Sequence, residues 1–187
     1  MQGGRFKFGP IFAKFAFVQD KFSSLVSEYS ERLYWHIRGI VGSHEDADDV
    51  LQDVFLKAWK ALPDFKGESS EFTWLWRIAT NESLSFLKKR RVRAAFGLEA
   101  LELKFASGKS YDEGVDPLKA ETALRKAIGS LPSKQRSVFM MRYYEELSYE
   151  QISEITGTST GALKASYHIA YEKIKAFLLE DSDGNIV

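Results

Sequence analysis

Between Leu147 and Leu179 two helix starts lie at the separation of a helix-turn-helix. Ser148 with Gln151 has the capping-box pattern, Ile152 and Ile155 supply an inner face, and Gly157 supplies a turn. Ser159 then caps a longer helix on which Leu163, Tyr167, Ala170, Ile174 and Phe177 recur at helical spacing, while Thr160, Lys164 and His168 share the other face. Such a helix can turn its N-terminal end to phosphates and its outward side chains to base edges in a major groove. A short helix hairpin packed in a bundle has the same spacing, so both readings stand at this level.

Two further groups could do chemistry on a nucleic acid. Lys88, Lys89, Arg90, Arg91 and Arg93 could neutralise phosphates and release counterions, although a solvated helix face needs no more than the same residues. Just ahead, Phe72, Trp74 and Trp76 flank Arg77, with Asn81 a turn further on, a composition suited to stacking on unpaired bases or to a bundle core. Spacing does not decide which tryptophan is buried. Glu45, Asp46, Asp48, Asp49 and Asp53 crowd a helix start, where the helix dipole favours them. They lack calcium-loop spacing and no metal is expected; the helix start is a sufficient explanation of the acids, and a docking face for a basic partner is an equal reading. No P-loop, zincin or nucleophile-elbow pattern occurs, and His36, His44 and His168 have no nucleophile to serve. No catalytic residues, cofactor or enzyme activity are therefore expected.

The elements that must position these groups are helices. Phe22, Leu25, Val26, Tyr29, Leu33 and Ile37 predict a first helix ending near Gly42. Ser43 is a plausible cap for a second, in which Val50, Val54, Phe55, Ala58 and Leu62 repeat the spacing up to Pro63. Asp64 to Glu71 reads as a loop before a third helix that carries the basic run. Residues 94–117 have weaker periodicity, three glycines, and five acids against two lysines, and read as an acidic linker. Beyond Pro117, breaks at Pro132 and near Leu147 delimit further helices. With no strand-like alternation and no repeat, the expected class is all-α: two small helical domains joined by a linker, the second with a helix-turn-helix. The expected division is 1–19 as a poorly structured N-terminal extension, 20–93 as the first bundle, 94–117 as linker, 118–180 as the second domain and 181–187 as a tail.

Composition narrows the class without naming a function. The 187 residues carry 26 basic and 26 acidic side chains, so bulk charge argues for neither nucleic acid nor membrane. Cysteine is absent, which excludes thiolate chemistry and disulfides and is compatible with a reducing compartment. No apolar run approaches the roughly 20 residues of a spanning helix, and membrane insertion is not expected. The N-terminal stretch Ile11 to Val18 is interrupted by Lys14 and lacks a small-residue cleavage site, so it does not read as a secretory signal.

In order along the chain, Asp48-Asp49-Val50-Leu51-Gln52-Asp53-Val54-Phe55, Thr73-Trp74-Leu75, Ile78-Ala79, Asn81 and the basic run resemble region 2 of bacterial sigma-70 family sigma factors. Leu131-Pro132, Gln135-Arg136, Leu147 to Ile152, Ser159, Gly161 and Lys164 resemble region 4. Two regions with no third domain between them are similar to the extracytoplasmic-function (ECF) group, over about Asp20 to Leu179. The resemblance implies a cytoplasmic protein that binds core RNA polymerase, recognises and helps melt promoter DNA, and answers to a cognate anti-sigma factor. It implies polymerase contact through Asp49, Gln52 and Asp53, and minus-ten DNA contact through Asp64, Phe65, Lys66, Trp74, Arg77, Asn81, Lys88, Lys89, Arg90 and Arg91. Minus-thirty-five contact would fall to Arg136, Ser159, Thr160, Gly161, Lys164 and His168. The chain departs from the family pattern in having Ala162-Leu163 before Lys164, and Ser166 and Ile169 where arginines often stand. The alternative is a stand-alone helix-turn-helix transcriptional regulator, which would need no polymerase-facing acidic helix.

Overall fold

The computed structural model describes residues 10–96 and 117–183, with side chains for 17–96 and 121–180. Helix α1 (Pro10–Val41) opens on a proline, whose missing N–H is no loss in a first turn that has no acceptor for it. It starts well ahead of Phe22, where the apolar series begins. Much of the span expected to be poorly structured is therefore helical, and 1–9 lie outside the described residues. Helix α2 (His44–Ala61) is capped as its sequence predicts, the Ser43 hydroxyl oxygen accepting the Asp46 N–H at 3.0 Å. Pro63 then forces a 3-10 turn over Leu62–Asp64. Helix α3 (Glu71–Ala95) starts on Ser70, whose hydroxyl oxygen accepts the Thr73 N–H at 3.0 Å. It continues through the basic run to Ala95, past the expected start of the linker. The remainder of that linker, 97–116, lies outside the described residues.

The second half comprises α4 (Pro117–Ser130), α5 (Ser133–Phe139), a π-helical turn over Met140–Tyr144, α6 (Tyr149–Thr156) and α7 (Thr160–Asp183). The capping box on α6 is complete: Ser148 Oγ accepts the Gln151 N–H at 3.2 Å, and Gln151 Oε1 accepts the Ser148 N–H at 2.8 Å. Gly157 ends the helix at φ 68°, a left-handed conformation that costs glycine nothing. Among the described residues there is no strand.

Leu25, Leu33, Ile37, Val50, Val54, Leu75 and Trp76, from α1, α2 and α3, form one buried cluster that extends without a break into Val138, Met141, Leu147, Ile152, Ile155 and Leu163 of the second half. A smaller cluster, Ala127, Ile128, Leu131, Phe139, Ala170 and Ile174, belongs to the second half alone. The two domains expected from the sequence thus share a core across their junction, each buried aliphatic or aromatic side chain contributing about 1.5–3 kcal/mol by leaving water.

Candidate nucleic-acid interface

Residue i and residue i+2 of a helix point to nearly opposite sides, and this separates the two tryptophans of α3. Trp76 is the buried one, stacked on Phe72 with ring centres 4.0 Å apart. Trp74 is half-buried and faces the loop after α2, where Phe65 packs against it at 4.8 Å. Their rings wall a cleft of about 620 Å³ that Asp64, Lys66 and Arg77 also line. An aromatic floor with cations at its rim suits an unstacked base beside its phosphates. Asn81 is exposed further along α3, as are Lys88, Lys89 and Arg91. Arg90 is instead paired with Asp46 at 2.6 Å, which ties the basic run to the start of α2. On α2, Asp49, Gln52 and Asp53 are all exposed, whereas the adjacent Val50 and Val54 are buried.

In the helix-turn-helix, Leu163, Ala170 and Ile174 are buried, and Ser159, Gly161, Lys164 and His168 are exposed, with Thr160 half-buried. The Ser159 hydroxyl oxygen accepts the Ala162 N–H at 3.4 Å, a weak cap. The Lys164 ammonium lies 5.7 Å from the centre of the Tyr149 ring, a cation–π approach that holds the lysine over α6. Arg142 lies over the same ring at 5.4 Å. The exposed Glu150 carboxyl is held below the usual range by its own backbone N–H and by Ser148.

Arg136 does not join this surface. It is 2% exposed, and its guanidinium donates to the carbonyl oxygens of Ile40 (2.8 Å), Gly129 (2.6 Å) and Leu131 (3.1 Å). Burial pushes it down to about 10. Its expected DNA contact is corrected to a structural one: a cation that satisfies the end of α4 and the end of α1 at once.

The family model for Sigma-70 region 2 matches residues 25–93, and that for Sigma-70, region 4 matches 121–174. The ECF RNA polymerase sigma-E factor of Escherichia coli K12 is 33% identical, over 83% of this chain and 85% of that protein. The chain belongs to the ECF sigma factors. The ECF RNA polymerase sigma factor SigW of Bacillus subtilis is 28% identical over 84% of this chain and 88% of its own length. Among solved structures, the sigma factor RpoE in complex with the anti-sigma factor NepR from Bartonella quintana superposes with a TM-score of 0.68 at 24% identity, covering 84% of this chain and 96% of that one. CnrH, in complex with the cytosolic domain of CnrY, gives a TM-score of 0.63 at 26% identity, covering 87% and 90%. A helix-turn-helix alone would also suit a stand-alone regulator; the region 2 match decides for the sigma factor. Members of this family are transcription initiation factors and not enzymes. Among the described residues no helix is long and apolar enough to cross a membrane.

Sequence reasoning missed a polar group where the regions meet. The Glu145 carboxylate accepts from the Trp76 indole Nε1–H at 2.6 Å and from the His36 ring Nδ1 at 2.7 Å, and His36 Nε2 lies 2.9 Å from Thr80 Oγ1. Burial by itself would raise Glu145, but the charge and hydrogen bond of His36, then Trp76 and Arg32, bring it below the usual carboxylate range. It is ionised, so both neighbours must donate.

Proposed function

We propose that this sigma factor docks on core RNA polymerase through the exposed acidic face Asp49, Gln52 and Asp53 of α2, and carries promoter DNA on two separate surfaces. The first is the cleft of Asp64, Phe65, Lys66, Trp74 and Arg77, continued by Asn81, Lys88, Lys89, Arg90 and Arg91, which takes a flipped base and the backbone of the minus-ten element. The second is the N-terminal part of α7, where Ser159, Thr160, Gly161, Lys164 and His168 meet the minus-thirty-five element. Residues 20–93 are the region 2 unit and 118–180 the region 4 unit, with 94–117 joining them, and 1–19 and 181–187 as flanks. The protein works in the cytoplasm, and an anti-sigma factor is a partner, a reading supported by the two similar sigma factors solved with theirs.

The half-buried Phe65–Trp74 pair carries this reading. It exposes aromatic faces beside Lys66 and Arg77 although a wholly buried tryptophan sits two residues away. Run-off transcription with purified core polymerase and a promoter library tests it. Promoter-specific transcripts are expected, and their absence with every library member would overturn the function. Asp49→Lys with Asp53→Lys should leave folding stability within about 0.5 kcal/mol, because both side chains are exposed, while co-purification with core polymerase is lost.

A further inference from the structure

A cavity of about 520 Å³, walled by α1, the start of α2, α4 and the π-helical turn, shares no residue with the acidic face or the two DNA surfaces proposed above. Its volume falls in the range of about 300–1,000 Å³ in which compact ligands are held. Leu124, Ile128 and Met140 give it an aliphatic lining. Trp35 and Tyr144 also line it, and they are 57% and 50% exposed, so each offers part of an aromatic ring to a flat ligand.

The polar groups at this cavity are committed to protein partners, with one exception. The Arg125 guanidinium pairs with Glu121, one turn away on α4. The Glu145 carboxylate accepts from Trp76 and His36, and His44 Nδ1 is hydrogen-bonded to the Tyr34 hydroxyl. Arg38 is different. Among the described residues that line the cavity, it is the cation with no carboxylate partner: Nη1 donates to the Gly42 carbonyl, and Nε is buried with no acceptor. Burial lowers Arg38 from the usual guanidinium range and the Arg125 charge acts in the same direction, while Tyr34 and Asp46 oppose them. A half-buried cation without an anion carries a desolvation cost that a bound carboxylate offsets. Because Glu121 already balances Arg125, the charge left to satisfy is a single one.

We propose that this cavity binds a small aromatic monocarboxylate, its carboxylate against the Arg38 guanidinium and its ring against Trp35 and Tyr144. The planar guanidinium matches a planar carboxylate, and the rings with the aliphatic lining take the apolar body, so binding draws on both halves of the ligand.

Isothermal titration calorimetry on the full chain tests it with 2-naphthoate and with 2-naphthamide, which has nearly the same shape and no charge. 2-Naphthoate should bind one to one with a dissociation constant below about 1 mM, and 2-naphthamide about tenfold more weakly or worse. Arg38→Met keeps most of the side-chain bulk and removes the charge. It should weaken 2-naphthoate by about tenfold to a hundredfold and leave 2-naphthamide unchanged. Trp35→Ala, at an exposed position, should weaken both compounds by a similar factor, roughly fivefold. Far-UV circular dichroism checks that each variant is folded. Since Arg38 also holds the Gly42 carbonyl at the end of α1, the Trp35→Ala titrations decide the matter if Arg38→Met does not fold. Absence of 2-naphthoate binding at millimolar concentration overturns the proposal. So do equal affinities for the two compounds, or affinities that the substitutions leave unchanged.

Discussion

Region 2 and region 4 are held together by different means. The first rests on three helices with large apolar side chains, Leu25, Leu33, Ile37, Leu75 and Trp76, all almost wholly buried. The second has a small cluster of its own and places Met141, Ile152, Ile155 and Leu163 in the cluster it shares with the first. It also depends on polar devices that the first does not need to the same degree: the complete capping box on α6, the buried Arg136 and the anion of Glu145. Region 2 buries large apolar side chains between three long helices, whereas region 4 includes the short helices α5 and α6, whose ends are satisfied one by one.

The comparison is broken most severely at Trp76. Trp76→Ala removes the largest wholly buried side chain and the indole donor to Glu145, and should cost about 3–5 kcal/mol in denaturant unfolding. Loss of less than about 1 kcal/mol would mean that region 2 does not depend on its aromatic core. Arg136→Met should cost less, about 2–3 kcal/mol, because three carbonyl oxygens lose their donor while the packing volume is kept. With folded protein at equal concentration, its minus-thirty-five binding should equal that of the parent; a selective loss of DNA affinity in a fully folded variant would return Arg136 to the interface. Lys164→Ala makes the smallest change. The exposed lysine lies over Tyr149 and lacks the planar fork of arginine, and the expected role is therefore a phosphate contact. Binding should weaken across all minus-thirty-five sequences, with a salt slope smaller by about one and their ranking kept. Relaxed discrimination at one base pair with an unchanged slope would make Lys164 a direct base reader.

What could be read from the sequence was what is local. Ser43, Ser148 with Gln151, and Gly157 act within one helical turn of themselves, so their patterns predict caps that the structure contains. The apolar series of the helix-turn-helix predicted the buried Leu163, Ala170 and Ile174 for the same reason. Pro10 was a comparable signal for the start of α1, and the apolar series that starts only at Phe22 hid it. Trp74 and Trp76 needed the third dimension: which of the two faces the core depends on where α1 lies. Arg136 sits in a stretch resembling a DNA-binding region, but its role is set by carbonyls of α1 and α4, elements that composition cannot bring together. His36 and Glu145 are separated by 109 positions, and neither has a neighbour in sequence that marks it as one half of a pair.

The π-helical turn of Met140–Tyr144 gives Glu145 its direction. Such a turn holds one residue more than an α-helical one, and the chain leaves it through Glu146 at φ 55°, with the Leu147 N–H returning to the Met141 carbonyl at 3.0 Å. Each α-helical residue advances the side chains by about 100° around the axis. Deleting a single codon within this turn would make it regular and swing the carboxylate away from α1 and α3, with almost no change in composition or hydrophobicity. One insertion or deletion event is thus enough to remove the Glu145 contacts with His36 and Trp76, while the shared apolar cluster and the Arg136–Ile40 contact stay in place.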